Sequence, residues 1–87
     1  MKPAETAAAI NVEIGRRLRS IRESQAPKLT QEMAAYYTDT KRQSMSAIER
    51  GKQAATVPQL VLMAQLYGIE PWMILHNDWC KLTIGSK

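Results

Sequence analysis

Apolar residues recur along this chain at helical spacing. Ile10, Ile14, Leu18 and Ile21 follow one another at intervals of four, four and three, which draws one stripe along a helix and buries it against other elements. Residues 1–9 are expected to fray as a terminus does, with Pro3 suited to a helix start. Ser24 to Leu29 contains Pro27 and reads as a connection, after which Thr30 is a good N-cap for a second helix opening at Gln31. From Gln31 to Gly51, QEMAAYYTDTKRQSMSAIERG, the pattern is two short helices with a tight connection. Ala35 supplies a small side chain where the pair touches, and Met45 and Ile48 press the later helix onto the domain. Met33 with Tyr36 or Tyr37 is expected to fill the core; adjacent tyrosines cannot both face inward, so the other would lie outside, within reach of a sugar-phosphate.

Thr40 and Gln43 fit a capping box that would start the third helix, and Gly51 would end it in a left-handed conformation. Thr56-Val57-Pro58-Gln59 is a second capping box with Pro in the first turn. It opens a helix whose apolar face is Leu60, Met63, Ala64, Leu66 and Tyr67 and which Gly68 stops. No charge lies between Ala54 and Ile69, so this helix reads as the centre of the core. A last short helix starts near Pro71. Trp72, Leu75 and Trp79, spaced three and four apart, form a stripe that either closes the core from below or is shared with a partner. The elements add up to one all-α, five-helix domain over residues 10–79, followed by a tail at 80–87.

Eighty-seven residues allow one domain with one core, and a chain that is 45% apolar and 23% charged is a folded globular one. The net charge of +4 gains meaning from its location. Between Gly15 and Lys52 lie nine Lys and Arg against four Asp and Glu, while Gln53 to Cys80 has only Glu70 and Asp78. A basic half beside a neutral to acidic half is the footprint of a polyanion-binding face. The polar residues of the third helix suit that role: long cations, an amide and small side chains are what a major-groove reader needs. Arg42 and Gln43 in the first turn, with Ser46 and Ala47 one turn on, are the candidates for base contacts. Lys41, Ser44, Lys52 and Gln53 are placed to reach the backbone, and the arginines of the first helix, Arg17 among them, are further phosphate candidates.

The Gln31–Gly51 segment resembles the helix-turn-helix of the lambda-repressor, Cro and XRE-type family of DNA-binding proteins. That family opens its second helix with Gln, places Ala four residues on and closes the third helix with Ile-Glu-Arg-Gly; here these are Gln31, Ala35 and Ile48-Glu49-Arg50-Gly51, without a gap. The likeness extends from about Ile14 to about Leu75. Asp39 stands where the family's turn has Gly, and Asp visits left-handed backbone at modest cost; Thr40 stands where an apolar residue is usual. The connection before Thr30 is about two residues longer than the family's.

The resemblance implies a lambda-repressor-like fold, a third helix that starts beyond Lys41, Gln31 as a phosphate-contacting glutamine, and a structural pair between Arg22 and Glu49. It implies a regulator, most simply a repressor, that binds double-stranded DNA. One helix reads only a few base pairs, so a homodimer on an inverted repeat is expected. The second reading is a protein-interaction module, or an antitoxin-type regulator, that binds a protein through the Trp72 to Trp79 surface.

Other chemistry is not indicated. The sequence has no phosphate-binding glycine loop, no Cys-x-x-Cys and a single histidine. His76, Asp78 and Cys80 alternate, so they do not share a helix face, and neither a metal site nor a Cys80–His76 catalytic pair is expected. No enzyme activity and no cofactor follow from these residues. No apolar run approaches the roughly 18 residues of a membrane span. The start MKPAETAAAI lacks the core of a secretory signal, and one cysteine fits a reducing compartment, so the cytoplasm is expected.

Overall fold

The fold is that of a computed structural model, which describes the backbone of residues 3–75 and the side chains of residues 6–75. All regular structure among the described residues is helical: α1 Pro3–Glu23, α2 Gln31–Tyr37, α3 Arg42–Glu49, α4 Val57–Tyr67 and α5 Pro71–Leu75. None of these helices is long and apolar enough to cross a membrane. Trp79 lies outside the described residues, as do His76, Asp78 and Cys80.

The 21 residues of α1 reach back to Pro3, into the stretch expected to fray. The reason is local. Proline suits a first helical turn, where its missing N–H has no partner to lose, and the alanines at 4 and 7–9 have the highest helix propensity of any residue. Leu18 is fully enclosed, and Ile14 and Ile21 pack beside it, so the apolar stripe does face inward.

The second helix corrects one expectation. Its buried residues are Ala34 and Ala35, whereas Met33, Tyr36 and Tyr37 are all exposed. The tyrosine rings instead meet each other edge to face, with centroids 5.3 Å apart. A two-turn helix that must lie against both α3 and α4 needs small side chains on its inner face, and a ring there would hold the helices apart. Thr30 caps α2 by accepting from the Met33 N–H at 3.1 Å.

Three helices end in the same way. After α2 the Thr40 N–H donates to the Ala35 carbonyl at 2.9 Å and the Asp39 N–H to Tyr36, with Asp39 left-handed at φ 52°. After α3 the Lys52 N–H reaches Ala47 and the Gly51 N–H reaches Ile48, with Gly51 at φ 76°. After α4 the Ile69 N–H reaches Ala64, with Gly68 at φ 73°. This pairing satisfies carbonyls that a helix end otherwise leaves without partners.

The two candidate capping boxes part company. At Thr56 the box is complete: its N–H donates to Gln59 Oε1 at 2.9 Å, and the Gln59 N–H donates to Thr56 Oγ1 at 3.2 Å. At Thr40 it is absent. The Thr40 hydroxyl donates to the Thr38 carbonyl at 3.1 Å and accepts from the Thr38 hydroxyl, so α3 starts at Arg42 with Lys41 as N-cap. Of the two starts considered for this helix, the one beyond Lys41 is found.

The core gathers Leu18, Met45, Ile48, Met63 and Ile74, all enclosed, with Ala34, Ala35, Ala64 and Tyr67. A close seam runs between α1 and the end of α3. A Cβ on Gly15 would lie 2.3 Å from the Ile48 carbonyl oxygen, and one on Gly51 would lie 2.7 Å from Val12 Cα. Only glycine lets these backbones meet. In α5, Ile74 faces the core, while Trp72, Met73 and Leu75 are about half exposed.

Candidate nucleic-acid interface

At about 100° per residue, Arg42, Gln43, Ser46, Ala47 and Arg50 fall on one side of α3, opposite the enclosed Met45 and Ile48. Arg42, Gln43 and Arg50 are exposed; Ser46 and Ala47 are half-buried. Ser44 lies half-buried at the margin of this face. Lys41 is exposed at the N-cap, and no side chain caps the helix there, so the positive end of its dipole adds to the charges of Lys41 and Arg42. Lys52 and Gln53 are exposed just beyond the other end.

The outer face of α3 is one wall of an open depression of about 590 Å³. Arg42, Ser46 and Arg50 line that wall; Arg19, Lys28 and Gln31 line the others. A smaller hollow of about 250 Å³ brings Gln31, Arg42, Gln43, Ser46 and Arg50 together. Arg50 Nε donates to Ser46 Oγ at 3.3 Å across one turn.

The floor of the depression is built by a buried ion pair. Arg22 Nε donates to Glu49 Oε2 at 2.7 Å and its Nη2 to Oε1 at 3.0 Å, a two-point contact that fixes both groups. Arg22 Nη1 also donates to the Leu29 carbonyl at 2.8 Å, and Gln31 Nε2 donates to Glu49 Oε1 at 2.9 Å. One acid thus ties the end of α1 and the start of α2 to the end of α3. An amide nitrogen carries two N–H donors, so Gln31 has a second one for an outside acceptor. Hydrogen bonding to Glu49 raises the Arg22 pKa further. Nearby, Tyr67 Oη is buried without a hydrogen-bond partner among the described residues, and its pKa is pushed up to about 12 by burial and then by the charge of Glu49.

Arg17 is placed apart from this group. Its Nε donates to Glu13 Oε2 at 3.1 Å and its Nη1 to the Met73 carbonyl at 3.5 Å, on the α5 side of α1. Hydrogen bonds from Arg16 and Arg17 hold the Glu13 carboxyl down to about 2. On the other flank of α1, Arg19 pairs with Glu23 at 3.1 Å and borders the depression. The sequence reading left out Arg50 and Lys28. Arg50 had a signal, since it follows Arg42 and Ser46 at four-residue steps; Lys28 had none, because only the folded connection brings it to the rim. No group of three or more His, Cys, Asp or Glu that could hold a metal occurs among the described residues.

Residues 13–73 match a family model described as a helix-turn-helix domain. The chain belongs to the XRE-type helix-turn-helix family. Among solved structures, the restriction-modification controller protein C.AhdI from Aeromonas hydrophila is similar. The two share 30% identity with a TM-score of 0.69, and the match covers 76% of this chain and 97% of that one. No curated protein matches the chain. In family terms the helix-turn-helix consists of α2, the turn through Asp39 and α3, and the chain is a DNA-binding regulator of transcription.

Proposed function

We propose that the chain is a cytoplasmic repressor that binds an inverted-repeat operator as a homodimer and reads bases with α3. The observation that carries this is the hollow into which Gln31, Arg42, Gln43, Ser46 and Arg50 converge at the outer face of α3. Arg42 has the geometry for a two-point contact to guanine and Gln43 for one to adenine, while Ser46 and Ala47 are small enough to let the helix enter the major groove. Gln31, Lys41, Ser44, Lys52 and Gln53 contact phosphates around it; Arg17, on the α5 flank, reaches only a strand that passes that side. The likeness to a restriction-modification controller supports control of expression rather than catalysis.

A single such helix carries too little information for a genome, which favours two copies on half-sites about one helical turn apart. Trp72, Met73 and Leu75 offer an apolar surface suited to pairing. The same surface supports a second reading, in which it binds a different protein as an antitoxin does.

Selection from a random duplex library, with the mass of the bound complex measured in parallel, tests the proposal. An enriched inverted repeat holding two chains is the expected result. Weak, sequence-blind binding that vanishes with salt would overturn it and leave the α5 surface as the working site.

A further inference from the structure

We infer that Lys28 holds a phosphate of the duplex backbone on the flank of the bases that α3 reads, at a depression that Arg19 also borders. The inference rests on the proposed DNA-binding mode and extends it to a contact made by the connection between α1 and α2.

Lys28 and Arg19 border the same depression as Arg42, Ser46 and Arg50, across from the reader face. The depression is open to solvent rather than enclosed, which suits a passing strand better than a small enclosed ligand. A strand bordering a groove occupied by α3 runs past this opening.

Although Lys28 lies in a connection, its backbone is set. The next residue, Leu29, packs on the core and gives its carbonyl to Arg22 Nη1 at 2.8 Å. The one after, Thr30, is the N-cap of α2. Ordering the contact therefore restrains little beyond the lysine side chain itself.

The charges around the depression also favour an anion. Of the acids there, Glu49 is matched by Arg22 and Glu23 by Arg19. Lys28, Arg42 and Arg50 remain against Glu32. An ammonium is a point charge without a two-point pattern, so Lys28 strengthens binding to any sequence and selects none.

The test is a salt series with the full chain on two duplexes, the selected operator and a scrambled one, for wild type, Lys28→Ala, Lys28→Arg and Arg19→Ala. Lys28→Ala is expected to weaken both duplexes by the same factor, about three- to tenfold near 0.1 M salt, and to lower the salt slope by about 0.9 per chain. Lys28→Arg should restore both, and Arg19→Ala should act in the same direction with a smaller effect. On an operator trimmed to the selected bases, Lys28→Ala should match wild type. If wild type binds its operator and Lys28→Ala leaves the slope unchanged, or alters preference at one base pair, the phosphate contact is wrong while the repressor reading stands. If wild type shows no selective binding, both fail.

Discussion

On the inner side of α3, Met45, Ile48 and Glu49 are enclosed, each no more than 5% exposed; on the outer side, Arg42 and Gln43 project into solvent, although all five lie within eight residues. The inner side is fixed by this chain alone. Ile48 and Glu49 present carbonyls so close to Gly15 that no side chain fits between, and the Glu49 carboxylate is shared by Arg22 and Gln31. The outer side keeps its donors for something else; the internal bond found there joins Arg50 to Ser46 at 3.3 Å. One short helix thus separates what holds the fold from what the fold presents, and substitutions on its two sides should fail in different ways.

The largest effect is expected at Glu49. Glu49→Ala leaves the enclosed Arg22 guanidinium without its counter-charge and should cost about 3–5 kcal/mol in a urea melt. DNA binding should fall with the folded fraction, and further because Gln31 loses the Glu49 oxygen that positions it. Next comes Gly15→Ala. The added methyl meets backbone, which cannot swing aside as a side chain would, so α1 must move off α3 at a cost of about 1–3 kcal/mol or more. A stable Gly15→Ala variant with an unchanged melt would show that the seam is looser than drawn. The outer side should behave in the opposite sense. Arg42→Ala and Gln43→Ala should leave stability within about 0.5 kcal/mol. Each should nevertheless remove about 1–3 kcal/mol of preference for the selected operator over a scrambled duplex. If these variants lose a protein partner instead and keep the operator, the outer face is not the reader.

The same division explains what the sequence makes legible. Periodicity with capping, Pro and Gly signals placed the helices, and the likeness of Gln31, Ala35 and Ile48-Glu49-Arg50-Gly51 to a known family pointed to the helix-turn-helix, because inward-facing positions carry their own chemistry in their side-chain type. Glycine and lysine do not. Gly15 sits in an unremarkable helical pattern, and its importance comes from a neighbour thirty-three residues away, beyond any local signal. Met33, Tyr36 and Tyr37 misled in the other direction: apolar character suggested burial, but the short α2 contacts α3 and α4 through alanines. Thr40 is the right residue type three positions before Gln43, yet its hydroxyl is engaged with Thr38, and Lys41 takes the N-cap position without a side-chain cap. The candidate base contacts were legible as residue types on one helical face, and Arg19 as one of several arginines on α1; Lys28 became visible only when the fold brought the connection to the rim of the depression.

The smallest effect concerns the turn that joins the two sides. Asp39 is left-handed at φ 52°, in a position whose equivalents after α3 and α4 are glycines at φ 76° and 73°. Asp39→Gly should remove the strain of a side chain in that conformation, worth roughly 1 kcal/mol. Part of the gain is offset because glycine also has more freedom in the unfolded chain. A net stabilisation of about 0.5 kcal/mol or less is therefore expected in the melt. Asp39→Asn separates the causes, since asparagine also tolerates left-handed backbone and differs by one charge. If strain is the whole account, the Asn variant should match wild type and only the Gly variant should gain. If both lose stability, the carboxylate itself braces the turn, and the entry of α3 depends on a side chain that the two glycine-ended helices do without.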